Sequence, residues 1–163
     1  MTTLRRFLVL AALMFWQGGF LFYAAVVVPV GRGSIGSAQS GVTQRVTLYL
    51  NLAGAIALVL LAWDVWASTS RRRWRWACWL GMAAALPALI WLHGRIETAI
   101  VPGTADVLDH QVFYPSHRVY LWLSTVQWAL AVFFLVLSVG AWSELDRQEG
   151  TNMARRGSSE GGA

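Results

Sequence analysis

Three histidines carry most of the chemistry available to this chain: His93, His110 and His117. Imidazole is the commonest protein metal ligand and a frequent axial ligand of haem iron. His93 is placed to close one helix and His117 to open the next. Consecutive antiparallel helices would bring the two rings to similar depth. Arg95, Glu97, Asp106 and Asp109 lie between them, and Arg118 follows. Such a set offers two cofactor readings. Haem b could be held axially by His93 and His117, or a transition metal such as zinc or copper by His93, His110, His117 and neighbouring carboxylates. The spacing matches no metal motif, since H-x-x-x-H, H-E-x-x-H and C-x-x-C-H are all absent. The plainer expectation is a solvated loop at a membrane boundary, with arginine paired to Glu or Asp.

A second polar set recurs at helical spacing. His117, Tyr120, Ser124, Gln127, Ala131 and Ser138 share one face of a helix. Lipid disfavours that face, so it is expected to point into a bundle, with Gln127 meeting Gln17 as interhelical glue. The same stripe is the only polar route across the bilayer that a small transporter or channel could use. Asp64 is the one acid inside an apolar stretch, shortly before the arginines Arg71, Arg72, Arg73 and Arg75. Snorkelling to the interface and pairing with that cluster accounts for it. Catalytic signatures are absent: there is no G-x-S-x-G, no phosphate-binding glycine loop and no dinucleotide fingerprint. Ser116 beside His117 makes no nucleophile–base geometry at a helix start.

The elements that must position these residues are four apolar stretches, about 7–30, 46–66, 76–93 and 115–142. Each is long enough, or nearly so, to cross a hydrocarbon core of roughly 30 Å. Hydrophobic residues make up 56% of the 163-residue chain and charged residues only 13%. The mean hydropathy is +0.50. A soluble domain would normally be about 25% charged. The expected fold is therefore all-α, an integral membrane four-helix up-down bundle over residues 1–142. Residues 143–163 form a polar tail expected to lack structure beyond Gly150. Arg5 and Arg6 precede the first span as in a signal peptide, but its length, Trp16, Tyr23 and the missing cleavage site favour a retained anchor.

Pro29 and Gly31 are expected to end the first span, a Gly/Ser-rich loop to fill 31–44, and Pro87 to kink the third span. A basic turn is expected over 68–75, a polar loop over 94–114, and Pro115 in the first turn of the fourth span. Gly18, Gly19, Ala53, Ala57, Gly81, Ala85 and Ala88 would let helices approach closely. Cys78 is the only cysteine, a small apolar residue unable to form an intrachain disulfide.

Arginine supplies all the basic charge, +5 net, and the chain has no lysine. Nine arginines (Arg5, Arg6, Arg71, Arg72, Arg73, Arg75, Arg147, Arg155 and Arg156) fall on one side of the spans, and four (Arg32, Arg45, Arg95 and Arg118) on the other. The positive-inside rule then places both termini in the cytoplasm, in a cell membrane such as a bacterial inner membrane. Trp63, Trp66, Trp74, Trp76, Trp79 and Trp142 lie near the same boundary, where indoles sit well at headgroup depth. Basic charge beside apolar spans reads as an anchor to an anionic leaflet and excludes a nucleic-acid face.

The segments FWQGGFLFYAAVVVPVG and QSGVTQRVTLYLNLAGAIAL, residues 15–31 and 39–58, resemble the four-helix membrane family that includes transmembrane protein 205. That resemblance implies four spans and a largely unknown role, and carries over no catalytic residue. The leading expectation is a non-enzymatic bundle in the lipid bilayer, packed as a homo-oligomer or as an accessory subunit of a larger membrane complex. The alternatives are a haem- or metal-binding protein with its histidines on the outer face, and a small transporter or channel.

Overall fold

The structure, a computed structural model, describes residues 2–35, 39–101 and 107–160. Among them, four helices are long and apolar enough to cross a membrane: Thr2–Gly31, Gly41–Ala67, Arg72–Thr98 and His110–Met153. The only extended pairing among the described residues is an isolated bridge between Ile100 and Val107. The described residues thus form an all-helical fold whose four long helices are apolar enough to span a membrane.

The first helix changes register twice. Its α-helical parts, Thr2–Leu13, Gly19–Phe22 and Val28–Ile35, are separated by π turns at Met14–Gly18 and Tyr23–Val27. Each π turn buries one aromatic ring, Trp16 and Tyr23. Pro29 does not end the helix, as the sequence suggested; the chain stays helical to Ile35. A local π adjustment is one way a membrane helix absorbs the missing proline N–H, and here it directly precedes Val28. Much of the loop expected over 31–44 is therefore helical, because the second helix already begins at Gln39.

The remaining boundaries also shift outward. The third helix starts at Arg72 and runs through Pro87 to Thr98, so the basic turn shrinks to the residues just before it. The fourth starts at His110, where Asp109 caps it: Oδ1 accepts from the N–H groups of Gln111 at 2.9 Å and Val112 at 3.1 Å. Pro115 consequently lies inside this helix and forgoes only the bond to the Gln111 carbonyl. The helix continues to Glu160, so the polar tail is helical past Gly150.

Cross-helix contacts show successive helices running antiparallel. Arg5 pairs with Asp64, Trp16 lies against Gly54, and Tyr23 Oη donates to Thr43 Oγ1 at 2.6 Å. Trp79 Nε1 donates to the Leu58 carbonyl at 2.7 Å, joining the second and third helices. Gln127 Nε2 donates to the Met82 carbonyl at 3.3 Å, joining the third and fourth. All four helices feed one core, with Val9, Leu13 and Trp16 meeting Ala57, Leu61, Met82, Leu86, Ala131 and Phe134.

Two glycines set how closely the helices approach. A Cβ on Gly54 would lie 2.7 Å from the Trp16 indole, and one on Gly81 would lie 2.7 Å from Leu130 Cδ1. The indole is wedged in the core, whereas Leu130 Cδ1 is the end of a flexible chain. Gly54→Ala should therefore force the first two helices apart and cost about 1–3 kcal/mol, with Gly81→Ala costing less. Thermal unfolding of the two variants in mild detergent, followed by circular dichroism, checks the order.

Candidate functional site

The most concentrated chemistry in the structure is at the end of the bundle that holds the N-terminus. Each helix carries a polar residue within its buried stripe there. Arg5 continues the stripe of Val9, Leu13 and Trp16, and Asp64 continues that of Ala57 and Leu61. Arg75 precedes Met82, Leu86 and Leu89 on the third helix, and Ser138 follows Ala131 and Phe134 on the fourth. Core-facing spacing, and not exposure, decides where these side chains point.

Asp64 and Arg75 are fully buried, and the Arg5 side chain is only 10% exposed. Arg5 Nε donates to Asp64 Oδ1 at 2.8 Å, and Arg75 Nη2 donates to Asp64 Oδ2. Trp142 Nε1 points at Oδ1 from 3.4 Å, and Arg75 Nε donates to Ser138 Oγ at 3.1 Å. The Arg75 guanidinium also lies 5.4 Å from the centre of the Phe134 ring. One carboxylate thus joins the first, second and third helices, and its partners reach the fourth. The cluster holds two cations and one anion, so it keeps a net positive charge. Arg75 Nη1 and Ser68 Oγ are buried without a hydrogen-bond partner.

An outer ring of ion pairs encloses this centre. Arg6 grips Asp146 through two bonds of 2.9 Å and 2.8 Å, and its guanidinium lies 5.6 Å from the Trp142 ring. Arg71 grips Glu144 through one oxygen, Nε at 3.0 Å and Nη2 at 2.7 Å both donating to Oε1, and Ser70 Oγ donates to Oε2. Arg71 is also the one non-glycine residue with positive φ among those described, at 51°. The left-handed conformation turns the chain sharply into the third helix, and Glu144 holds it there.

The histidine end is organised differently. His93 Nε2 lies 2.9 Å from Glu97 Oε1, close enough for an ion pair but without hydrogen-bond geometry. The His93 ring lies 6.3 Å from that of Tyr120. His110 stacks on Tyr114 at 5.6 Å, and His117 on Phe113 at 5.5 Å. Among the described residues, no group of three or more His, Cys, Asp or Glu side chains is arranged to hold a metal ion. Asp109 serves as a helix cap, and Asp106 lies outside the described residues. On the fourth helix, Ser124, Gln127, Ala131 and Ser138 are buried, while His117 and Tyr120 are half-buried. Gln127 does not meet the half-buried Gln17; its amide goes to the Met82 carbonyl, and Ser124 Oγ donates to the Tyr120 carbonyl at 2.8 Å.

Asp64 does not snorkel outward, as the sequence suggested. Its side chain has a single methylene, too short to reach the interface, so the longer arginines come to it. The partners are Arg5 and Arg75, whereas Arg71, the first of the arginine run, is taken by Glu144. Arg5 was missed because arginines ahead of an apolar run read as flanking charge. Its i, i+4 relation to Val9 was the available signal.

Comparison of the chain with protein-family models, curated proteins and solved structures finds no match. The arrangement must therefore be interpreted from its own chemistry. Every described hydrogen bond of the Asp64 side chain fastens one helix to another. The cluster is an interhelical clamp.

Removing the anion should be the most damaging change. Asp64→Asn leaves two buried guanidiniums without a countercharge and should cost about 3–5 kcal/mol. Arg75→Met leaves a matched Arg5–Asp64 pair and removes an unsatisfied Nη1, so it should cost distinctly less. Detergent-titrated unfolding, read by circular dichroism, orders the two variants.

Proposed function

We propose that this protein is a non-enzymatic membrane bundle that acts as a packing or accessory subunit, either with a second copy of itself or within a larger membrane complex. The observation carrying this reading is how the buried polar side chains are used. Asp64, Arg5, Arg75 and Gln127 all bond to a neighbouring helix. Around that centre the helices present large apolar side chains outward, such as Phe15, Leu48, Trp91, Trp122 and Phe133. In a bilayer those surfaces meet lipid or another helix.

Orientation is part of the proposal. The nine-to-four arginine asymmetry supports cytoplasmic termini and a cell membrane, with a bacterial inner membrane as the setting. The likeness of residues 15–31 and 39–58 to the four-helix family that includes transmembrane protein 205 belongs to the same reading. Haem or metal handling at His93 and His117 is its competitor, and spectroscopy separates the two.

The test uses mildly solubilised protein beside the double variant His93→Ala/His117→Ala. Both should be colourless, free of stoichiometric metal and equal in assembly size by mass photometry. Cross-linking in native membranes should give a homo-oligomer or a defined complex for both. A Soret band or near-stoichiometric metal that disappears in the variant would replace the subunit reading with a cofactor one. Anion or solute flux in liposomes that is abolished by Gln127→Leu would replace it with a transporter.

A further inference from the structure

Beside the clamp, the turn between the second and third helices forms a basin of about 810 Å³ lined by Thr69, Arg71, Arg72, Arg73, Trp74 and Trp76. The second helix ends at Ala67 and the third begins at Arg72. A connection this short between two membrane-crossing helices must stay at the membrane surface. Arg72 and Arg73 are exposed there, and neither has a carboxylate partner among the described residues. Arg71, by contrast, is committed to Glu144.

The electrostatics of this corner are unsatisfied. A helix N-terminus carries a partial positive charge and free N–H groups, which acidic side chains usually compensate. The first turn of the third helix contains no acid, and Arg71 supplies no side-chain cap. Guanidiniums therefore crowd a positive helix end, and an anion placed in the basin relieves both.

Aromatic surface continues from the same place. The Trp66 and Trp76 rings meet edge to face at 6.4 Å across the two helices, and the Arg72 guanidinium lies 6.0 Å from the Trp66 ring. Beyond them, Val59 and Trp63 on the second helix and Leu80 on the third are exposed. Val59, Trp63 and Trp66 follow helical spacing, so an apolar track leads away from the basin toward the bilayer interior. A free inorganic anion uses only the basic half of this surface. An amphiphile uses both.

We propose that the basin is a binding site for an anionic phospholipid. Its phosphate is held by Arg72, Arg73 and the N-terminus of the third helix, and its acyl chains lie along the apolar track between the second and third helices. This site is separate from the subunit role, and its test reads lipid retention instead of assembly.

The experiment is native mass spectrometry of the full chain in a neutral detergent, given equal amounts of phosphatidylglycerol and phosphatidylcholine. Phosphatidylglycerol should be retained preferentially. Arg72→Gln/Arg73→Gln should weaken its retention about thirtyfold, from the attraction of two basic groups to an anionic headgroup. Arg95→Gln/Arg118→Gln, which removes charge at the other end of the bundle, should leave it unchanged. Thr69→Glu provides an independent check: an acid ahead of the third helix should favour the fold while repelling the lipid. Equal retention of the two lipids by the native chain would overturn the proposal. So would a preference surviving both basin variants while circular dichroism shows them folded. Loss of phosphatidylglycerol to millimolar inorganic phosphate would show a free-anion site and overturn the lipid assignment.

Discussion

A carboxylate buried among apolar helices cannot stay charged alone, and the arrangement of this protein follows from how Asp64 meets that constraint. Removing an ion from water costs several kcal/mol even after relaxation, so a buried charge needs close and well-oriented partners. Asp64 has Arg5 on one oxygen and Arg75 on the other, with the Trp142 indole N–H also directed at it. These partners come from three other helices. The clamp can close only when all four are in register, which makes a single electrostatic requirement a constraint on the whole bundle. A pair buried in this way adds less to stability than its charges suggest. Its stronger effect is to exclude arrangements in which Asp64 is left unpaired.

The same constraint explains why the two ends of the bundle differ. At the clamp end, the first and fourth helices are tied by Arg6 to Asp146, and the turn before the third helix is tied to the fourth by Arg71 and Ser70 at Glu144. Away from it, close approach depends on small residues. Trp16 fits over Gly54, and Leu130 fits over Gly81, contacts that a Cβ would spoil. At the histidine end, rings stack on neighbours of their own helix, His110 on Tyr114 and His117 on Phe113. Between helices, the His93 ring of the third lies 6.3 Å from the Tyr120 ring of the fourth. Among the described residues, the ion pairs that join one helix to another all lie at the clamp end.

Four apolar spans were legible in the sequence because length and composition suffice to reveal them. Their ends were not, since helix termini depend on local contacts. The fourth helix begins at His110 because Asp109 caps it, and the third begins at Arg72 because Arg71 adopts a left-handed turn. Pro29 is a strong stop signal in water, yet a π turn before it keeps the first helix going. Asp64 stood out as the one intramembrane acid, but its partners depended on which helices pack together. Arg5 lies far from it in sequence and meets it only through the antiparallel pairing of the first two helices. Periodicity could identify the polar face of the fourth helix. It could not show that Gln127 would find a backbone carbonyl on the third helix instead of Gln17.

The distribution of charge at the clamp end separates two roles for arginine. Seven arginines with described side chains gather there: Arg5, Arg6, Arg71, Arg72, Arg73, Arg75 and Arg147. Asp64 takes Arg5 and Arg75, Asp146 takes Arg6, and Glu144 takes Arg71. Four of the seven are therefore paired; Arg72 and Arg73 at the start of the third helix and Arg147 near the end of the fourth are exposed and form no ion pair among the described residues. The acids are spent where a helix must be fixed to another helix. Arg72 and Arg73 instead lie on the outer surface, near exposed Trp66 and Trp74. Had topology alone required these arginines, nearby acids would matter little, because acidic residues contribute weakly to the positive-inside rule. Acids at Asp64, Glu144 and Asp146 instead divide the arginines into a set that joins helices and an exposed set without an ion pair among the described residues. Both follow from the same rule, that guanidinium in an apolar setting must find an anion. Inside the bundle the chain supplies that anion itself.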